Sequence, residues 1–183
     1  MTVRVVTDST SDLSPELISK HGIEVVPLNI HFADDVYKDG KEITADQFFD
    51  KLINGPIHPT TSQPSIGEFV DVYRKIADKG DQIVSIHISQ ILSGTYNSAF
   101  QASKTVEGEI NVHLIDSEQV SMSLGLSAIA AAQTAKQGGT VDEVIAAAES
   151  AAKRCRFVAL FDTLEYLAKG GRIGKAQSLL GGL

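Results

Sequence analysis

Short β-rich apolar runs alternate along this chain with longer stretches in which apolar residues recur every three to four positions, and that alternation constrains the fold class. Val3, Arg4, Val5 and Val6 open the first run. A helix follows, with Ser14 as N-cap, Pro15 at its first position and Gly22 at its end. Residues 23–32 form a second β-rich run, and Asp39-Gly40 marks a small hairpin or tight reversal. Three capping-box patterns then start helices: Thr44 with Gln47, Ser65 with Glu68, and Thr140 with Glu143. The first ends before Gly55-Pro56. The second places Ile66, Phe69, Val70, Tyr73, Ile76 and Ala77 on one face and is expected to stop at Gly80. The third reaches about Lys153. Between them lie a strand over 82–89, in which Val84, Ile86 and Ile88 alternate with Ser85, His87 and Ser89, and another over 111–116. A helix dense in Ala, Leu and Ile covers 121–136 and breaks at Gly138-Gly139. Strands separated by helices of ten or more residues pair through right-handed crossovers. The expected fold is therefore α/β, a mostly parallel sheet with helices on both faces.

This α/β domain is expected to span residues 1–153. Residues 154–183 read as the truncated start of a second α/β domain: a strand over 156–161, a short helix around 164–168, the turn Lys169-Gly170-Gly171-Arg172-Ile173-Gly174, and an apolar end at Leu179-Leu180-Gly181-Gly182-Leu183. Exposed termini are normally polar or tied down, so the apolar end suggests a fragment. The formal charge of −7 and the lack of a basic, aromatic-interleaved cluster exclude nucleic acid as a partner. No apolar run approaches the roughly 18 residues of a membrane span and no leader precedes Val3, which together with the single cysteine, Cys155, gives a cytoplasmic reading. Cys155 reads as a small buried hydrophobe. The five histidines show no zinc-like spacing, so neither a metal nor a cofactor is expected.

Two hydroxyl-rich segments carry the candidate chemistry. Pro59-Thr60-Thr61-Ser62-Gln63-Pro64-Ser65 and Leu92-Ser93-Gly94-Thr95 each run directly into a helix, whose unpaired N–H groups favour an oxyanion. Neither contains Lys, Arg or His, so recognition would use neutral donors. Ser65 is consumed by its own capping box, which leaves Thr61, on a loop stiffened by Pro59 and Pro64, and Ser93, beside Gly94 at the end of a strand. A nucleophilic Ser93 with His87 or His113 as base, in a hydrolase or phosphoryl-transfer enzyme, is the alternative reading. The nucleophile-elbow pattern is absent, however, and His87 alternates with the apolar residues of its strand. The run at Gly170 fails as a phosphate loop, because Lys169 and Ala176 stand where Gly and Ser or Thr are required.

Five pieces in order, Val5-Val6-Thr7-Asp8-Ser9-Thr10-Ser11-Asp12-Leu13, Thr61-Ser62-Gln63-Pro64-Ser65, Leu92-Ser93-Gly94-Thr95-Tyr96-Asn97-Ser98-Ala99, Ile115-Asp116-Ser117 and Leu164-Glu165-Tyr166-Leu167-Ala168-Lys169-Gly170-Gly171-Arg172-Ile173, resemble the DegV family. The resemblance implies a bacterial carrier, not an enzyme, that binds a long-chain fatty acid between two domains. It would present the carboxyl group to a separate fatty acid kinase, which makes the acyl phosphate. It also implies that Thr61 and Ser93 hydrogen-bond the carboxylate. Family members continue into a complete second, lipid-tunnel domain, so this chain is expected to keep the head-group site while binding acyl chains weakly or not at all. Arg172 is expected to face the kinase.

Overall fold

The computed structural model describes residues 2–78 and 80–174. In order they form β1 (Val3–Asp8), a 3-10 turn (Ser9–Ser11), α1 (Pro15–His21), β2 (Ile23–Val26), β3 (Asn29–Phe32) and β4 (Asp35–Lys38). Next come α2 (Ala45–Asn54), β5 (Thr60–Ser62), α3 (Ile66–Ile76), β6 (Gln82–His87) and α4 (Thr95–Thr105). The chain then continues through β7 (Asn111–Asp116), α5 (Met122–Lys136), α6 (Val141–Arg154) and α7 (Glu165–Lys169).

Local chemistry starts the helices where the sequence marks them. Ser14 Oγ accepts from the Leu17 amide, Pro15 sits in the first turn, and Gly22 ends α1 in the left-handed region at φ 66°. All three capping boxes form, each hydroxyl accepting from the amide three residues on while the Gln or Glu side chain accepts from the cap amide.

β2, β1, β6 and β7 lie side by side in that order, every pair parallel. Both faces are covered. Val5, Val84 and Ile86 point to one face and pack on Leu124, Ala128, Ala131 and Ala132 of α5 and on Val144 and Ala148 of α6. Val6 and Ile83 point to the other, against Phe69 and Tyr73 of α3 and Ala99 and Ala102 of α4. The small residues of α5 bring its axis close to β1 and the turn that follows it. A Cβ at Gly125 would lie 2.6 Å from the Ser11 carbonyl oxygen, so glycine is required for that approach.

Three expectations are corrected. The β-rich run 23–32 splits at Pro27, which has no amide for a ladder. Its second half, β3, joins a separate three-stranded antiparallel sheet, ordered β4-β3-β5, over a small core of Ile30, Phe32 and Ile43 with Tyr37 and Phe48 packed against it. The β3–β4 hairpin turns at Ala33 (φ 53°), and Asp39-Gly40 supplies the tight reversal after β4, with Gly40 at φ 69°. The helix opened by Ser65 ends at Ile76, and Gly80, at φ 90°, makes the turn into β6 instead. Residues 156–161 have strand composition but no partner among the described residues, and Val158 and Leu160 stand almost fully exposed. A strand without a neighbour has nowhere to place its ladder bonds. The apolar end at Leu179-Leu180-Gly181-Gly182-Leu183 lies outside the described residues.

Candidate functional site

The strand order reverses between β1 and β6. From β1 the chain crosses by α1 to β2 on one side, whereas β6 lies on the other. The loops leaving β1 and β6 therefore diverge to opposite faces, towards α1 and α4, and open a crevice at the carboxyl ends of the strands. In open α/β sheets that is where ligands bind. Ser93 sits in the loop after β6.

Ser93 is half-buried, and its Oγ accepts from the Thr95 amide at 3.3 Å and lies 2.9 Å from Thr95 Oγ1. Thr95 is fully buried. One of these two hydroxyls donates to the other, and the accepting one keeps its own proton for an outside acceptor. Gly94 is the cap of α4 and has no side chain to offer; the Thr95 amide goes to Ser93 Oγ, and the amides of Tyr96 and Asn97 are left for the same acceptor.

Thr61 lies in β5, an edge strand, opposite Ile30 of β3. Its side chain is exposed, and among the described residues none hydrogen-bonds its hydroxyl. The neighbouring residues are held firmly. Ser62 Oγ takes Asn29 Nδ2 at 3.2 Å and lies 2.9 Å from His31 Nε2, Asn29 Nδ2 also reaches the Gln63 carbonyl, and Lys38 bonds both Asn29 and Glu68. Burial pushes the Glu68 carboxyl up, but the Lys38 ammonium and the Ser65 amide and hydroxyl outweigh it and leave the carboxyl below its ordinary range.

Gln63 joins the two segments. Its side-chain amide lies against Gly94, and a Cβ there would meet Nε2 at 3.1 Å and Cδ at 3.2 Å. The hydroxyl-rich loop on the small sheet thus closes over the hydroxyl-rich loop on the large one, and this contact is the link between the neighbourhoods of Thr61 and Ser93. Two open clefts, of about 270 and 300 Å³, lie elsewhere, one at the amino edge of β1 beside Lys20 and Lys136, the other along 114–119 beside Glu149 and Lys153.

His87 is fully buried, not a surface base. Its Nδ1 donates to Asp8 Oδ2 at 2.9 Å and its Nε2 lies 2.7 Å from Ser85 Oγ, which in turn meets the Tyr73 hydroxyl at 3.0 Å. His113 Nε2 is taken by Gln82. Both ring nitrogens of His87 are therefore committed to groups other than Ser93. Arg172 is half-buried, with Nη1 on the Gly170 carbonyl and its amide on the Leu167 carbonyl. Cys155 is half-buried and free, capping α6.

Asp39 sits beside the turn after β1. Burial raises its carboxyl above the ordinary 3.8; a hydrogen bond from Ser9 opposes this, and the charges of Asp12 and Asp8 add to it. A raised acid favours the protonated folded state, so its contribution to stability is full below about 3.8 and is lost as pH rises through the raised value. Asp39→Asn, which mimics the protonated form, is expected to raise the melting temperature at pH 7, with the gain shrinking as the pH is lowered towards 3.8. Calorimetric scans of both proteins across that range check the sign. An equal gain at every pH would show that the carboxyl is not the cause.

Gln63, Thr95 and Asp8 were not distinguishable as site residues in the sequence. Asp8 has one available signal, an acid directly after a β-rich run, and Thr95 a second hydroxyl two residues after Ser93.

Comparison with known proteins places these features in a family. A family profile described as the uncharacterised DegV family matches residues 2–183. A DegV domain-containing protein of Streptomyces coelicolor is 42% identical over 181 residues, covering 98% of this chain and 63% of the relative. Among solved structures, DegV from Bacillus subtilis, described as a fatty acid binding protein, is 35% identical with a TM-score of 0.91 over 100% of this chain and 65% of that one. A DegV family protein of Thermus thermophilus, described by its fatty acid binding, is 38% identical with a TM-score of 0.83 at the same coverage. The chain thus spans a little under two thirds of the length of these relatives.

Proposed function

Because this chain belongs to the DegV family, we propose that it carries a long-chain fatty acid, holding the carboxylate with Thr61 and Ser93 and presenting it to a fatty acid kinase for acyl phosphate formation. The observation that carries this reading is the packing of Gln63 on Gly94, which unites two charge-free, donor-rich loops at the strand-order reversal. Neutral donors suit a singly charged head group attached to an apolar tail. Solved relatives described as fatty acid binding proteins support the ligand class. Residues 1–153 would hold the head group, and residues 154–183 would lead into the lipid-tunnel domain that houses the tail. In this reading the protein is a cytoplasmic carrier and the chemistry belongs to the kinase, with Arg172 on the side that faces it. The engagement of His87 by Asp8 and Ser85 supports a carrier over a hydrolase using Ser93.

Mass spectrometry of the purified full-length protein under native and denaturing conditions separates the two. A fatty acid mass that leaves on denaturation is the expected result. A covalent adduct retained on Ser93 would overturn the carrier in favour of the enzyme.

A further inference from the structure

One buried carboxylate ties together both walls of the crevice. Asp8, at the end of β1, is fully buried, and its two oxygens accept from four donors. Oδ1 takes the amide and hydroxyl of Thr10, which shapes the turn after β1. Oδ2 takes His87 Nδ1 at 2.9 Å and the Ile88 amide at 3.1 Å, which fixes the point where β6 releases the loop bearing Ser93. The same point is held from β7, because Ser117 gives both its amide and its hydroxyl to the His87 carbonyl. From there Ser89 continues the anchoring. Its carbonyl accepts the amides of Leu92 and Ser93.

We infer that Asp8, with His87 as its partner, is the positioning residue of the head-group site: it sets the distance between the β1 and β6 loops and so the place of Ser93. This rests on the proposed carboxylate role of Ser93. The physical ground is the acceptor-only chemistry of a carboxylate: all four donors converge on it, and no neutral residue of the same shape offers four acceptor positions. Asp8→Asn keeps the volume but turns one end into a donor that faces other donors, so the two loops must separate at one of the two clamps. His87→Asn differs, since its amide nitrogen overlays Nδ1 and keeps the bond to Asp8 while giving up Ser85.

The test compares affinity for a fatty acid with affinity for its methyl ester, which carries the same tail and no charged head, in the full-length protein. Wild type is expected to prefer the acid. Asp8→Asn is expected to abolish most of that preference while ester binding changes little, and His87→Asn is expected to retain it. Loss of affinity for acid and ester alike, or an unchanged preference in Asp8→Asn, would overturn the inference and leave Asp8 a purely structural group. Should Asp8→Asn fail to fold, Thr10→Val removes a single bond from the clamp: a reduced preference supports the inference and an unchanged one overturns it. A wild-type protein that binds acid and ester equally would overturn the carboxylate reading itself, and the positioning role with it.

Discussion

Phe69→Ala is expected to destabilise the protein by about 3–5 kcal/mol, the range for deleting a fully buried aromatic ring. Phe69 is 0% exposed and lies where α3 meets β6, with its ring centroid 5.9 Å from that of Tyr73 and 5.1 Å, edge to face, from His87. Val6, Val26 and Ile83 floor the space it fills, and Ala99 and Ala102 of α4 wall it. These five sit on strands fixed by their ladders or are alanines, and the Tyr73 ring is held by the bond between its hydroxyl and Ser85, so none is free to swing into the void. The cost therefore stays near the full transfer-plus-cavity value. A typical domain holds only about 5–15 kcal/mol in total, so a large share of the native stability disappears. Urea unfolding at constant m-value measures it. Phe69→Leu, which keeps most of the volume, is expected to lose clearly less. A loss below about 1 kcal/mol for the alanine variant would mean that the face collapses around the site and that α3 is not anchored there.

The same geometry explains which parts of the structure could be read in advance. Helix starts were legible because a capping box is local: Thr44, Ser65 and Thr140 each act on an amide three residues away. The parallel sheet followed from spacing alone, since long crossovers leave few alternatives. Strand partnership was not legible. Residues 23–26 and 29–32 lie in one β-rich run, yet Pro27 and the bond from the Leu28 amide to Ser9 send them into different sheets. Thr60–Ser62 reads as a hydroxyl-rich loop because a three-residue edge strand has too few positions to show a period. Residues 156–161 fail the other way, with β-rich composition and no strand to pair with among the described residues. Of the proposed carboxylate donors, Ser93 was singled out by a strand running into a glycine, and Thr61 by discounting the hydroxyl that capping uses. The Asp8–His87 bond joins residues 79 apart in the chain, and the contact of Gln63 with Gly94 is non-local too. Such partners emerge only once the sheet order is known: the side-by-side pairing of β1 and β6 puts the end of one strand, Asp8, next to the end of the other, His87.

Removing both candidate donors, by Thr61→Val and Ser93→Ala, is expected to abolish measurable fatty acid binding by the full-length protein. A hydrogen bond to a charged group contributes about 1.5–3 kcal/mol, so each single variant should lose roughly 10- to 100-fold in affinity. Both substitutions leave the scaffold largely alone. Thr61 is exposed on an edge strand where valine is a good strand former, and Ser93 lies outside both core clusters that flank the sheet. Ser93→Ala does remove the hydrogen-bond partner of the Thr95 hydroxyl and the acceptor for the Thr95 amide, so a small loss at the start of α4 accompanies it. The two effects should not simply add. If both hydroxyls bind one carboxylate, deleting either lets the head group settle against the other, and a double-mutant cycle should return a coupling of about 0.5–3 kcal/mol. Additive losses would place the two residues in separate sites. Single variants that bind as tightly as wild type would sink the assignment. The methyl ester supplies the internal control: it lacks the charge the hydroxyls are meant to meet, so its affinity should respond far less than that of the acid to either change. A parallel fall for acid and ester would mean that the substitutions act on the tail's surroundings, and that the neutral donors at the mouth of the crevice have no part in selecting the head group.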